Sequence, residues 1–325
     1  MRLLAAASGT VAAYSLCAFW LGVLPALAEE EWRRGLADRL GPSIVAVLPD
    51  LPKSQIDQEE PEGTGFAIGD GRDVLTADHV LGRANSARLR LADGTVVAAE
   101  IRVRDPDTDM AYLEVEEALP PLQLAEDAET GADICVIGNA FGLGPSLACG
   151  IVSAAHRRGV GFNRVEDFLQ TDAAINPGMS GAPLFAGEDG VSGMASAIFT
   201  KRSDGNLGVN FAVSARLLKA VVADMEDGRI DRRPQGLVLR PTLAPGEIGA
   251  PEAEVVRVSP GSPEATAGLK KGDLLIAIDS LEIKGQPDYL TALALFADRA
   301  KTAYRLERDG ERLDLTVETN LGESP

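Results

Sequence analysis

Hydrophobic positions along the chain fall into short runs broken by turn residues, and the intervals between runs are rarely long enough for a helix. The runs Ser43–Leu48, Gly65–Ile68, Asp73–Thr76, Ala87–Leu91, Thr95–Val103 and Met110–Val115 form a first group of predicted strands. Ala132–Ile137, Gly150–Ala154, Phe168–Thr171, Ala182–Phe185, Val191–Ile198 and Val209–Val213 form a second. Ala92-Asp93-Gly94 joins two strands as a hairpin turn, and an acidic, Pro-containing connector at 116–131 separates the groups. Roughly a dozen strands without long intervening helices predict all-β barrels or a sandwich.

The period then changes. After Ser214, which suits an N-cap, Leu217, Leu218, Val221, Val222 and Met225 recur at helical spacing, and Gly228 suits the stop. Beyond a polar linker at 229–235, residues 236–321 read as a small α/β module. Its strands are Leu237–Leu239, Ala253–Val258, Leu274–Ile278, Ala303–Arg308 and Arg312–Val317. Its helix runs from about Pro287 to Ala297, with Leu290, Leu293 and Phe296 on the inner face. The predicted division is a leader at 1–28, an all-β domain at 29–228, the linker and the module.

The leader has its own pattern. No charge separates Arg2 from Glu29, the apolar core runs Leu16–Leu24, and Ala26-Leu27-Ala28 suits signal peptidase. The segment at 3–28 is also long enough to remain as an inner-membrane anchor, although Ser8, Gly9 and Thr10 dilute it. Either way the bulk of the chain is periplasmic or secreted, and a membrane is a partner only if the segment stays.

Composition narrows the field further. The 325 residues suffice for two cores, and 34 Gly, 19 Pro and only 5% aromatics suit tight turns more than helical bundles. With 31 basic against 49 acidic residues the formal net charge is −18, which repels phosphate backbones. No basic cluster exceeds Arg232-Arg233, so no nucleic-acid partner is expected. Cys17 lies in the leader. Cys135 and Cys149 sit on two apolar segments around a Gly-rich turn, either bridged or as two buried thiols.

Three segments carry candidate chemistry. Asp73-Val-Leu-Thr-Ala-Asp-His79 places a histidine just after an apolar strand. Asp105-Pro-Asp-Thr-Asp109 places an acid just before one, with Asp105 and Asp107 equally eligible on residue type. Asn176-Pro-Gly178-Met179-Ser180-Gly181-Ala182 places a serine in a turn whose small residues free the backbone amides. A serine hydroxyl needs a base, and the base needs an orienting acid. Both histidines, His79 and His156, precede Ser180, so the Ser–acid–His order of α/β-hydrolases cannot be built on it. The order His–Asp–Ser matches chymotrypsin-like hydrolases. There is no H-E-x-x-H and no clustered Cys or His, so no metal and no cofactor is expected. His156, beside Arg157-Arg158, reads as a solvated loop residue.

These segments resemble the HtrA/Deg family of serine proteases. The resemblance extends to Gln170-Thr-Asp-Ala-Ala-Ile-Asn-Pro-Gly178, Ile137-Gly-Asn-Ala-Phe-Gly-Leu-Gly144, Gly150-Ile-Val-Ser153 and Gly208-Val-Asn-Phe-Ala-Val213. It implies a mainly β fold, a chymotrypsin-like double β-barrel followed by a small α/β PDZ domain. It also implies His79 as general base, Asp109 as its orienting acid and Ser180 as nucleophile. The oxyanion hole falls on the backbone N–H groups of Gly178 and Ser180. A small apolar specificity pocket is implied, lined by Ala174–Asn176 and Ile198–Gly208. Residues 236–321 resemble a bacterial-protease PDZ domain through Ser259-Pro-Gly-Ser-Pro-Glu-Ala-Thr-Ala-Gly268-Leu-Lys-Lys-Gly272-Asp273. Leu237-Val238-Leu239 would be the strand that receives a peptide C-terminus by strand addition.

Departures from the family pattern are Met179 for Asn, Ala182 for Gly, Asn210 for Gly near the pocket and Val238 for Gly, with Leu51–Gly63 short for a regulatory loop. The expected activity is serine endopeptidase action, through an acyl-enzyme, on misfolded or regulatory exported proteins. Expected partners are unfolded or extended polypeptides and C-terminal peptides, with a homotrimer implied by the resemblance. The alternatives are a non-proteolytic peptide-binding chaperone scaffold, or a membrane-anchored stress-sensing protease with one specific substrate.

Overall fold

The computed structural model describes residues 32–51, 63–188, 190–198, 208–225, 228–243 and 251–319. The leader and the centres of the two loops expected at 51–63 and 198–208 lie outside the described residues. Among the described residues no helix is long and apolar enough to cross a membrane.

A short helix α1 (Leu36–Leu40) leads into β1 (Ile44–Pro49), β2 (Gly63–Ile68) and β3 (Asp73–Thr76). One turn of helix, α2 (Asp78–Leu81), follows, and then β4 (Ser86–Arg90), β5 (Val96–Asp105) and β6 (Met110–Glu114). These six strands close antiparallel into a barrel in the order β1-β2-β3-β6-β5-β4. In β4, Ala87 and Leu89 turn inward while Ser86 and Arg88 face water, the period-two pattern of a strand with one wet face. Closure leaves no unpaired edge on which another chain could add.

A second barrel repeats the plan with β7 (Asp133–Gly138), β8 (Ser146–Arg157), β9 (Phe168–Thr171), β10 (Pro183–Phe185), β11 (Val191–Ile198) and β12 (Asn210–Ser214), closed as β10-β11-β12-β9-β8-β7. Cys135 and Cys149 stand opposite each other on β7 and β8 and are joined by a disulfide. Helix α3 (Ala215–Met225) follows, and the Ser214 hydroxyl accepts from Leu217 N at its start. One apolar cluster runs from Val47, Phe66, Leu75 and Leu113 of the first barrel, through Phe168, Phe185 and Phe211 of the second, to Leu217, Leu218, Val221 and Met225 of α3. Burial of this shared core fixes one barrel against the other.

The C-terminal module comprises β13 (Leu237–Pro241), β14 (Ala253–Val258), α4 (Pro263–Thr266), β15 (Leu274–Ile278), β16 (Leu281–Glu282), α5 (Gln286–Leu295), β17 (Lys301–Arg308) and β18 (Glu311–Glu318). The sheet order is β13-β14-β15-β17-β18, with β16 on β15, so β13 is an edge strand facing α5.

Two sequence expectations are corrected here. Leu293 and Phe296 do enter the module's core with Tyr289 and Ala292. Leu290 instead packs against the core of the barrels, together with Ala294, so α5 has two apolar faces. His156 is no solvated loop residue. It lies on β8 with φ +56°, and its Nδ1 is 3.1 Å from the fully buried Asp167 carboxylate. That carboxylate also accepts two bonds from Arg216 and one from Ser214, each at 2.6 Å. Burial alone would raise its pKa, but these donors outweigh it and hold Asp167 well below the usual carboxylate range.

The module meets the second barrel at the segment before β9. Arg158 reaches Asp288 of α5 at 2.6 Å, and the Thr291 hydroxyl donates to Glu166 O at 2.7 Å. The buried Glu166 carboxylate accepts from the amides of Val160, Gly161, Phe162 and Asn163, which fixes that segment as a tight cage.

Candidate active site

The site forms where the two barrels meet. His79 sits in the first turn of α2, directly after β3, and its side chain is 49% exposed. Asp109 ends the turn that begins at Asp105, and its φ of +60° is a conformation that Asp tolerates better than most residues. Its backbone carbonyl accepts from Asp78 N at 3.2 Å. Its carboxylate accepts from His79 N at 2.9 Å and lies 2.8 Å from His79 Nδ1. The imidazole is thus held at both its backbone and its ring by one buried acid.

The three aspartates of this turn now separate. Asp107 pairs with Arg164 at 2.8 Å on the surface, and Asp105 accepts from Thr108 and Arg232. Only Asp109 faces the imidazole. Burial opposes charge on His79, but the hydrogen bond and charge of Asp109, with Asp78 adding, outweigh it and raise the His79 pKa above its ordinary value.

Ser180 occupies the turn before β10, clasped between the barrels. Its carbonyl accepts from Thr64 N of β2 at 2.8 Å, and Gly181 N donates to Ala195 O of β11 at 2.7 Å. Gly181 has φ +84°, and a Cβ there would stand 2.1 Å from Thr64 O and 2.6 Å from Thr76 Oγ1. Only glycine lets this turn press against the strand that leads to His79. The Ser180 hydroxyl makes no hydrogen bond among the described residues, including to His79.

Gly178 has φ +90°, and its carbonyl accepts from the Thr64 hydroxyl at 2.7 Å. The same hydroxyl accepts from Asn139 N at 2.9 Å, tying the serine turn to the end of β7. Neither Gly178 N nor Ser180 N donates to a protein acceptor among the described residues, whereas Met179 N between them is bound to Asn176 O. Met179 itself is buried in the second barrel's core. Asn210 is buried as well, with Nδ2 donating to Ala173 O at 2.8 Å.

Two residues at the site escaped the sequence reading. The Ser196 hydroxyl donates to Asp109 Oδ2 at 2.6 Å and is 6% exposed. A bulge between Ala195 and Ala197 turns it toward the acid. An isolated serine in an apolar strand carries no spacing signal. Thr64 was also missed, and its flanking glycines were the only hint.

Comparison with known proteins agrees with this architecture. The trypsin-like peptidase domain family matches residues 63–194, and the PDZ domain family matches residues 205–319. A "Probable periplasmic serine endoprotease DegP-like" of Chlamydia trachomatis is 32% identical over 284 residues, 83% of this chain and 56% of the relative. A protein of the same description from Rhizobium meliloti is 32% identical over 306 residues, 91% of this chain and 57% of the relative. The chain therefore spans little more than half the length of these curated relatives. Among solved structures, "HtrA-type protease AlgW with tripeptide" superposes with a TM-score of 0.71 at 30% identity, covering 90% of this chain and 98% of that one. The serine endoprotease from Yersinia pestis superposes at 0.61 with 25% identity, covering 88% and 96%. Two closed barrels joined at a His–Asp pair and a serine turn, with a PDZ module behind them, place this chain in the HtrA-type serine protease family.

Proposed function

We propose that the chain is a serine endopeptidase of the bacterial periplasm that hydrolyses extended segments of exported proteins. The Ser180 hydroxyl attacks the scissile carbonyl carbon while His79 Nε2 takes its proton. Asp109 holds Nδ1 and stabilises the imidazolium that forms. The tetrahedral oxyanion is received by the N–H groups of Gly178 and Ser180. His79 then returns the proton to the leaving amine, leaving an acyl-enzyme that water hydrolyses by the reverse sequence.

The observation that carries this reading is the His79–Asp109 pair at 2.8 Å beside a serine turn whose two candidate oxyanion amides have no protein acceptor among the described residues. The periplasmic setting follows the names of the relatives. Cleavage after small apolar residues and assembly as a homotrimer rest on the family resemblance; light scattering of the purified chain tests the second. A fluorophosphonate probe tests the chemistry. Labelling of the protein should vanish in Ser180→Ala together with hydrolysis of an unfolded protein substrate. Failure to label, with hydrolysis absent, would leave the barrels as a chaperone scaffold.

A further inference from the structure

Receiving a peptide C-terminus by strand addition needs free amides in the loop that meets the carboxylate, and outward N–H and C=O groups along the edge strand. In this module three amides and one carbonyl of that edge are already used by the chain itself. Gly236 N and Leu237 N donate to the Tyr289 hydroxyl at 3.0 and 3.3 Å. That hydroxyl donates in turn to Glu264 Oε1 at 2.6 Å, so its two acceptor positions and one donor are all engaged. Leu239 N donates to Gln286 Oε1 at 2.7 Å, and Leu237 O accepts from Gln235 Nε2 at 3.0 Å. The next outward position on β13 is Pro241, which has no N–H. Its direction follows from Thr242, whose amide pairs inward with Glu252 O at 2.8 Å.

Behind the phenol lies a carboxyl group. Glu264 is 2% exposed and packs so close to the strand that a Cβ at residue 236 would stand 1.8 Å from its Oε2. Gly236 is therefore required by an internal carboxyl group. A second carboxylate arriving at the same amides would meet the first through a single hydroxyl. Gln286 and Tyr289 both belong to α5, whose far side rests on the barrels through Leu290 and Ala294.

We propose that the groove between β13 and α5 is shut by its own side chains, so that this PDZ module does not capture free peptide C-termini and Gln286 and Tyr289 are the residues that set this. Polypeptide is then recruited at the cleft between the barrels. The inference does not depend on catalysis and is tested with Ser180→Ala protein, whose failure to cleave cannot affect the outcome.

Fluorescein-labelled heptapeptides ending in free Ala, Val, Leu or Phe, with C-amidated twins, are titrated against the full chain by anisotropy. The expected result is no saturation below ~1 mM and no difference between acid and amide. Gln286→Ala combined with Tyr289→Phe should open the groove and bind at least one free acid ~10-fold more tightly than its amide. Amidation-sensitive saturation by the starting protein overturns the proposal, as does a folded double variant that gains nothing. Should the double variant not fold, hydrogen exchange decides. Slow exchange at Gly236, Leu237 and Leu239 supports closure, and exchange at rates of unprotected amides overturns it.

Discussion

Removing the Ser196 hydroxyl is the sharpest test of how the acid is held. Asp109 accepts from three protein donors: His79 N, His79 Nδ1 and Ser196 Oγ, the last at 2.6 Å. A hydrogen bond to a charged acceptor is worth about 1.5–3 kcal/mol. In the proposed mechanism Asp109 stays a carboxylate throughout, so only part of that value distinguishes the transition state. About half of it, at 1.36 kcal/mol per tenfold, gives a fall of roughly 4- to 13-fold in kcat for Ser196→Ala. KM should hardly move, because the Ser196 side chain is buried and its hydroxyl is spent on Asp109. Asp109→Asn, which forces the wrong tautomer, should cost far more, about 10⁴-fold. With one donor gone, the carboxylate attracts the imidazole proton more strongly, so the acid limb of the kcat/KM profile should move to higher pH. Active-site titration with a fluorophosphonate, then turnover of an internally quenched peptide from pH 5 to 9, measures all three quantities. A variant within twofold of wild type with an unmoved limb would refute this role for Ser196. So would a loss as deep as that of Ser180→Ala.

Three further outcomes are expected. Because His79 must be neutral to accept a proton and its pKa is raised, kcat/KM should climb through a midpoint above pH 6.5; a midpoint at or below that value contradicts the geometry. The same raised pKa stabilises the fold below pH 6.5, and that contribution fades as pH rises through the folded-state value. Asp167→Asn leaves Arg216 and Arg158 facing a neutral amide and should cost about 3–5 kcal/mol in urea unfolding. Since the folded pKa of Asp167 is depressed, the gap to wild type should persist down to the ordinary carboxylate range and close only in stronger acid. Gly181→Ala should lower kcat by about 10²-fold or more while circular dichroism stays unchanged, because its Cβ would push the serine turn off Thr64 and Thr76.

The sequence was most legible where function is written locally. His79, Asp109 and Ser180 each sit beside a strand in segments that resemble the family's, in the order His–Asp–Ser, and short runs such as Ala87–Leu91 predict the strands of a barrel or a sandwich. What depended on distant packing was hidden. Residue type alone does not choose Asp109 over Asp105 and Asp107; only the resemblance does, and in the fold Arg232 and Arg164, reaching over from later elements, engage the other two. Ser196 gains its role from a bulge, and His156 from a buried acid eleven residues on. Leu237–Leu239 form an edge strand, but the amides of Leu237 and Leu239 are taken by Tyr289 and Gln286, about fifty residues downstream. Leu290 fits an inner face by period alone, and helical period cannot say which of two neighbours a buried residue meets.

That last misplacement has a wider consequence. No residue of α5 is exposed, because Tyr289, Ala292 and Leu293 fill one core while Leu290 and Ala294 fill another. The helix acts as a party wall, and neither room is weatherproof without it. A module cut out at the linker would present the wall's bare side to water, so excised fragments should associate or lose solubility where the whole chain does not. Substitutions along these ten residues are constrained from both sides at once, which makes this short segment the least forgiving of neutral change in the C-terminal third of the chain.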